Sequence, residues 1–349
     1  MTHAKATPYH CSTHIAILLG AFIAAGGMVK SNVVEVKDLR KTYQDGGLMR
    51  KKDIHALNGV TFDVQPGEVF GLLGPNGAGK TTFIKVLLGI IQKSGGEAKL
   101  LGFPAGDRRG RLRVGYLPER LVVPRHHTGR TALEYYGQLS GMTKAQVLAR
   151  RESVLELVGL AERGDDWARK YSKGMLQRLG LAQALIHDPE LLILDEPTDG
   201  LDPVGRAQVR AILARLRGEG KTIFLNSHLL QEVELICDRV AIMDRGRILC
   251  EGSPEALKRA LHTGERVELE IDGRLADADG EALCALGAVN LRTDSGRGIE
   301  FQARPGEGVG RRAAQLLEGK GYRIRHLTIA PVSLEDVFFS HTGRALRDA

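Results

Sequence analysis

Short apolar runs occur along the larger, N-terminal part of the chain. They cover residues 69–73, 191–194 and 222–225, with one glycine in the first and a leading threonine in the last. Continuous runs of this length are typical of parallel strands buried on both faces of a sheet. A further strand is predicted at residues 33–36, and the pattern at residues 82–88 predicts a helix soon after the first run. We therefore expect an α/β core with a mixed sheet.

A helical region is predicted between the first two of these runs. Thr143 and Gln146 form a capping-box pattern, and apolar residues at helical spacing continue the helix through Val158. Thr128 is the predicted cap of the preceding helix, which continues to Leu139. These helices predict a helical subdomain at about residues 120–180.

The pattern changes after Gly252. Ser253 and Pro254 are a suitable N-cap and first-turn pair for a linker helix that continues to Leu261. Strands are then predicted at residues 267–271, 288–292, 298–301 and 322–329, and helices at residues 280–286 and 308–321. The order β-α-β-β-α-β resembles a ferredoxin-like module. We expect this module to fold independently and to take no part in the chemistry of the first domain.

A glycine-rich loop follows the apolar run at residues 69–73. Residues 74–81 fit the pattern G-x-x-x-x-G-K-S/T, whose glycines let backbone N–H groups turn toward an anion. In this pattern Lys80 can reach the β- and γ-phosphates of a nucleotide, and the Thr81 hydroxyl can bind Mg²⁺. The helix behind the loop would direct its positive end at the phosphates. Strand, loop and helix together predict a nucleotide-binding site.

Two carboxylates follow the apolar run at residues 191–194. Asp195 stands at the end of this predicted strand, where it can hold Mg²⁺ directly or through water. Glu196 comes next, where it can orient and deprotonate an attacking water. Alone, the pair fits a solvated acidic turn before Pro197, but together with a phosphate loop it predicts nucleotide hydrolysis.

Together, five motifs in a fixed order resemble those of the ATP-binding subunits of ABC transporters. Besides the two described above, residues 171–178 stand where that family has its L-S-G-G-Q signature, and residues 199–203 resemble its D-loop. His228 resembles the family's switch histidine. In addition, Tyr43 resembles the aromatic residue that stacks on adenine. The resemblance is continuous from about residue 33 to residue 252.

Three positions depart from the usual family pattern. The signature has Lys173 and Met175 where glycine and glutamine are usual, and Glu119 stands where the family usually has glutamine. Ser172 and Gly174, which the family uses at the γ-phosphate, are kept. These variants resemble the ABC-2-type branch, whose ATPases serve separate permease subunits. Residues 333–339 look like the closing helix of that branch.

The resemblance implies ATP and Mg²⁺ as cofactors. Glu196 would be the general base and His228 the second catalytic residue, while Thr81, Asp195 and Glu119 would hold the metal. The residues that the resemblance assigns to ATP binding are Tyr43, Gly74, Pro75, Asn76, Gly77, Ala78, Gly79, Lys80, Thr81, Thr82, Glu119, Ser172 and Gly174.

Composition favours a cytosolic enzyme. The 349 residues are enough for two domains, and 43% of them are hydrophobic. The four cysteines are scattered without a C-x-x-C pair, a pattern that favours reduced thiols over disulfides or a zinc site. The net charge is +7, but no aromatic residues interleave with the basic clusters. We therefore expect solvated basic faces and no nucleic-acid partner.

The predicted domain order starts with an N-terminal extension at residues 1–32. Its apolar run, residues 15–29, is shorter than the roughly 20 apolar residues that span a bilayer. It resembles a signal peptide, but export would separate an ATPase from ATP, so we expect Met28 to be the physiological start. The predicted sequence of domains is an ABC ATPase domain at residues 33–252, a linker helix at 253–266, a C-terminal accessory domain at 267–339 and a tail at 340–349.

The resemblance implies ATP hydrolysis that powers transport, with export favoured, through a separate membrane permease. Two ATPase chains, identical or paralogous, would close around ATP and reopen after hydrolysis. The chain would be cytoplasmic and peripheral on the inner face of the membrane, with residues 119–136 as the surface that contacts the permease. The permease would determine the transported substrate. Two alternatives stay open, namely a soluble ABC ATPase acting on the ribosome or nucleic acid, and a nucleotide-binding regulator without a transport role.

Overall fold

The computed structural model describes residues 31–45, 52–261, 263–294, 297–304 and 306–342. The predicted start at Met28, the apolar run before it and most of the predicted tail lie outside these ranges. Among the residues described, no helix is both long and apolar enough to cross a membrane.

The central sheet has six strands in the order β10-β9-β3-β8-β7-β6. All neighbouring pairs are parallel except β9 and β10. The strands are β3 (Val69–Leu73), β6 (Val114–Leu117), β7 (Leu191–Asp195), β8 (Thr222–Ser227), β9 (Arg239–Asp244) and β10 (Arg247–Gly252). The predicted strands at residues 69–73, 191–194 and 222–225 are confirmed, and their complete burial explains why the runs are apolar.

A second sheet of four antiparallel strands has the order β2-β1-β4-β5. The strands are β1 (Val34–Asp45), β2 (Lys52–Val64), β4 (Gly95–Leu100) and β5 (Phe103–Pro104). The strand predicted at residues 33–36 is only the beginning of the 12-residue β1. The later part of β1, at residues 40–44, is mostly polar and exposed or half-buried, so no apolar run marks it. Phenylalanine rings with centroids 5.1–6.3 Å apart pack between this sheet and the central one. They belong to Phe62, Phe70, Phe83 and Phe224, of which Phe83 comes from the helix Lys80–Leu87.

Helices cover the central sheet and form the predicted helical region. They are α1 (Lys80–Leu87), α2 (Arg108–Arg111), α3 (Gly129–Leu139), α4 (Lys144–Leu157), α5 (Lys173–Leu185), α6 (Pro203–Gly218) and α7 (Leu230–Ile236). Both predicted caps are confirmed. The Thr128 side chain accepts a hydrogen bond from the Thr131 N–H, and Thr143 forms a capping box with Gln146.

The C-terminal part contains a third sheet, with four antiparallel strands in the order β12-β13-β11-β14. Its elements are α8 (Pro254–Ala260), β11 (Glu265–Ile271), α9 (Asp277–Ala285), β12 (Val289–Asp294), β13 (Gly298–Ala303), α10 (Val309–Gly319), β14 (Ile324–Pro331) and α11 (Leu334–Thr342). The predicted β-α-β-β-α-β order is confirmed, as is Ser253 as the cap of α8, accepting from the Ala256 N–H.

The closing helix α11 packs differently from the rest of the C-terminal part. The sheet and its helices share a core of their own around Val267, Phe301 and Leu317. Helix α11 instead contacts α7 and α8, and Phe338 belongs to the same apolar cluster as Val233 of α7. The domain boundaries stay a prediction, but the last helix is not confined to the accessory domain.

Candidate functional site

A cavity of about 380 Å³ lies beyond the carboxyl ends of the central strands. This is the expected place for a ligand in a parallel sheet, because the loops that follow neighbouring strands meet there. Its lining is mostly polar and consists of Ala56, Asn76, Gly77, Gly79, Lys80, Thr81, Thr82, Glu119, Glu196, Asp199, Asn226 and His228.

The phosphate loop provides backbone donors at one wall of the cavity. Gly79 is the N-cap of α1 and has φ 109°, and no side chain caps that helix end. A Cβ atom at Gly79 would lie 2.3 Å from the carbonyl oxygen of Ala56, so only glycine fits there. The uncapped N–H groups and the helix dipole make this end of α1 a site for an anion.

Lys80 is the buried cation of the cavity, with only 6% of the residue exposed. Its Nζ donates hydrogen bonds to the carbonyl oxygens of Gly74 at 2.7 Å and Pro75 at 3.1 Å. Burial lowers the pKa of Lys80, while the nearby carboxylates of Glu196, Asp195 and Glu119 act to raise it. The loop therefore fixes the ammonium group beside the place where phosphates would meet the helix end.

Asp195 lies at the end of β7, directly opposite Asn226 of β8. Both are 1% exposed, and the Asn226 Nδ2 donates to Asp195 Oδ1. Burial raises the pKa of Asp195, and the hydrogen bond from Asn226 opposes that effect. The sequence analysis missed Asn226 as a site residue, although its place before His228 on the neighbouring strand was a usable signal.

Glu196 and His228 form a hydrogen-bonded pair. The Nδ1 of His228 lies 2.8 Å from Oε2 of Glu196, and because a carboxylate oxygen only accepts, the proton is assigned to Nδ1. Glu196 has φ 52°, a left-handed conformation that costs a non-glycine residue of the order of 1–3 kcal/mol and that clusters at functional sites. The turn after β7 therefore holds this carboxylate in a strained and defined position, only 8% exposed.

The remaining lining supplies oxygen ligands. Glu119 follows β6. Burial, together with the charges of Asp195 and Glu119, raises the pKa of the nearby Tyr116 to about 12. No group of three or more histidine, cysteine, aspartate or glutamate side chains forms a metal site within the described ranges. This donor set suits Mg²⁺, which is usually bound by one or two carboxylates together with substrate phosphates rather than by an all-protein cage.

Six predicted ATP-binding residues do not line the cavity. Gly74, Pro75 and Ala78 belong to the phosphate loop itself, whereas the other three come from distant parts of the chain. Ser172 is the N-cap of α5, where its Oγ accepts from the Met175 N–H at 3.2 Å, and neither Ser172 nor Gly174 belongs to the lining. Tyr43 lies on β1 opposite Ile54, is 38% exposed and is also absent from the lining. One chain therefore brings together the phosphate loop, the acidic strand and the histidine, but not the signature.

The signature instead contacts the D-loop of its own chain. The Nζ of Lys173 lies 3.7 Å from Oδ2 of Asp199, and a Cβ atom at Gly200 would lie 1.8 Å from that Nζ. Asp199 lines the cavity, which the sequence analysis did not predict. Nor did it predict Ala56, which reaches the cavity from β2 and carries no local signal. Taken together, the cation, the helix end and the carboxylates suit phosphoryl transfer to water.

Comparison with known proteins agrees with this geometry. The family model described as "ABC transporter" matches residues 57–199. An uncharacterized ABC transporter ATP-binding protein of Synechocystis is 48% identical over 260 residues, which are 74% of this chain and 72% of the relative. A Nod factor export ATP-binding protein I of Cupriavidus metallidurans is 36% identical over 323 residues, 90% of this chain and 99% of the relative. A solved ATP-binding subunit of an ABC transporter superposes with a TM-score of 0.56 at 30% identity, covering 66% of this chain and 93% of that structure.

Proposed function

The chain belongs to the ABC transporter family of ATP-binding proteins and is an ATPase, and we propose that its hydrolysis of ATP powers export through a separate membrane permease. Export is favoured because a relative that matches almost over its whole length is named for Nod factor export. The variant signature around Lys173 supports placement in the ABC-2-type branch. The alternatives of a ribosome-associated or purely regulatory ATPase have no observation in their favour.

The observation that carries the mechanism is the composition of the cavity. It contains Lys80, Glu196 and His228 but neither Ser172 nor Gly174. A signature that acts on the γ-phosphate must therefore come from a second chain. We infer a two-chain sandwich in which ATP bound at the phosphate loop of one chain is capped by Ser172 and Gly174 of the other.

Each side chain then has a defined task. Lys80 and the N–H groups of the loop bind the phosphates. Thr81, Asp195 and Glu119 would hold Mg²⁺, which neutralises charge on the phosphates. Glu196 accepts a proton from the attacking water, and His228 keeps that carboxylate oriented through its Nδ1–H and senses the γ-phosphate. Hydrolysis removes the group that joins the two chains, so the pair reopens.

The coupling to the permease is assigned to the predicted surface at residues 119–136. Its exposed apolar groups include Val122, 79% exposed, and Tyr135, 46% exposed. The ring of His127 lies 5.4 Å from that of Tyr135. Exposed apolar side chains beside the helical region support a protein-binding face, and contact with a permease would place the chain at the inner membrane surface.

Co-purification from detergent-solubilised membranes tests this proposal. The tagged full-length chain should retain one integral membrane protein, identified by mass spectrometry, and ATP hydrolysis should rise or fall when that protein is present. Val122→Asp should abolish co-purification without changing the basal ATPase rate. Ile90→Asp alters a side chain that is also exposed, at 59%, but lies outside this surface, and it should co-purify normally. Absence of any membrane partner, with hydrolysis intact, would reject the transport role.

A further inference from the structure

Helix α11 packs against α7, the helix that follows the turn containing His228. Leu334, Val337 and Phe338 are at most 2% exposed and belong to one apolar cluster with Val233 of α7. Helix α7 begins at Leu230, directly after the turn that contains His228. The C-terminal helix therefore supports the helix that follows the catalytic pair.

A polar clamp joins the same two helices. The Oε1 of Glu234 on α7 accepts a hydrogen bond of 2.6 Å from the backbone N–H of Leu334. Its Oε2 lies 3.6 Å from Nζ of Lys258 on α8. Leu334 is the first residue of α11, where a helical N–H has no partner within its own helix. Glu234 thus satisfies the end of α11 from another element.

The other side of α11 is tied to the C-terminal sheet. Asp336 is 1% exposed and accepts a hydrogen bond of 3.1 Å from Nε2 of Gln302 on β13. The guanidinium of Arg292 on β12 lies 3.3 Å from the ring centroid of Phe339. Polar and cation–π contacts on one side and the Glu234 clamp on the other make α11 a link between sheet and core.

We propose that Glu234 is a positioning residue for hydrolysis, which holds α7 against α11 and so keeps His228 within hydrogen-bond distance of Glu196. The proposal rests on the roles assigned above to His228 and Glu196. It gives the C-terminal domain influence over the rate of hydrolysis without any group of that domain in the cavity. A small displacement suffices, since about 1 Å of misplacement at a catalytic group can cost about 10²-fold in rate.

The first test is steady-state ATPase kinetics of the full-length chain. Glu234→Ala should lower kcat about 10-fold and change KM for ATP by less than about twofold, because orientation rather than binding is lost. Glu234→Gln keeps an oxygen that accepts from the Leu334 N–H, so its kcat should stay near the wild-type value. Glu219→Ala is the matched control, since Glu219 forms an exposed pair with Arg215 at 3.1 Å, and should leave kcat unchanged.

A double-mutant cycle shows whether Glu234 acts through His228. In single-turnover reactions of the His228→Ala chain, adding Glu234→Ala should cause no further loss, because the histidine it positions is already gone. A wild-type kcat for Glu234→Ala, or a full additional loss in the His228→Ala background, would overturn the proposal. If His228→Ala itself hydrolyses ATP at the wild-type rate, the role assigned to His228 fails first.

Leu334 offers a second route should Glu234→Ala not fold. Leu334→Pro and Leu334→Ala both remove the buried side chain, but only proline also removes the N–H, and proline is tolerated at the first position of a helix. The kcat of the proline variant should be about 10-fold below that of the alanine variant, which is the effect expected for misplacement of His228. Equal kcat values would overturn the proposal.

Discussion

Replacing Asn226 by leucine tests the buried hydrogen bond that favours the ionised form of the Asp195 carboxyl group. The two side chains are adjacent across β7 and β8 and both are 1% exposed, so water cannot replace the lost donor. Leucine is close to asparagine in shape, and a hydrogen bond to a charged group contributes about 1.5–3 kcal/mol. The substitution also removes the Asn226 Oδ1, a buried atom without a partner among the described residues, which offsets part of the loss. We expect Asn226→Leu to lower the free energy of unfolding at pH 7 by about 1–2 kcal/mol.

The loss of stability caused by Asn226→Leu should depend on pH, and the pKa of Asp195 determines in which direction. Burial raises the pKa of Asp195 and Asn226 lowers it, so the substitution raises the pKa further. A carboxyl group whose pKa is raised in the folded state destabilises the fold as the pH rises through that value, because the ionised form is disfavoured. The deficit of the variant should therefore be largest near pH 7. As the pH approaches the unfolded value of about 3.9, it should fall to the smaller cost of a lost neutral hydrogen bond.

Urea denaturation followed by circular dichroism between pH 4 and pH 8 measures both quantities. The control is the same leucine substitution made in an Asp195→Asn chain. There it should lower the free energy of unfolding by only about 0.5–1.5 kcal/mol, because the lost hydrogen bond is neutral. An Asn226→Leu chain as stable as the wild type at pH 7, or a deficit that does not change with pH, would refute the reasoning.

Three further predictions follow from other contacts. Lys173→Gly should change the free energy of unfolding by less than about 1 kcal/mol, because its pair with Asp199 is exposed; a larger change in urea denaturation would show that the pair is structural. Glu119→Gln removes a negative charge from the cavity and should tighten Mg²⁺-free ATP binding about fivefold in a fluorescence titration with EDTA, and unchanged affinity would contradict this electrostatic account. A soluble chain truncated after Gly252 should still bind nucleotide, but its Tm should be lower, because α7 loses its packing contact with α11 and the Glu234–Lys258 ion pair with α8. Loss of nucleotide binding would show that the C-terminal part is necessary for the site.

Three of the six described strands of the central sheet were predicted, because burial on both faces forces apolar runs. The strands at residues 69–73 and 191–194 were found in this way, and the caps at Thr128 and Thr143 were found from local side-chain chemistry. The length of β1 was underestimated, since an antiparallel strand with one exposed face needs no apolar run. Local sequence therefore determines element type better than element extent.

The site was predictable where one segment contains all the necessary groups. The phosphate loop and the acidic strand end are such segments, and Lys80 and Glu196 both line the cavity. Ala56 comes from β2 and reaches the cavity only through the packing of the two sheets. Asp199 and Asn226 lie in or beside recognised motifs, but only the fold shows that they line the cavity. The contact of Glu234 with Leu334 joins residues 100 positions apart, and no local pattern signals such a contact.

The central claim is that two chains close around ATP and that Glu196 triggers their separation. Glu196→Gln removes the base but keeps the shape and an oxygen that accepts from His228. Steady-state ATPase rates and sedimentation velocity of wild type and variant with Mg·ATP test this claim most directly. The account predicts hydrolysis slower by about 10²–10⁴-fold in the variant together with a stable ATP-bound dimer, whereas the wild type returns to monomers as ATP is consumed. A variant that hydrolyses ATP at the wild-type rate, or that stays monomeric with ATP bound, would contradict it.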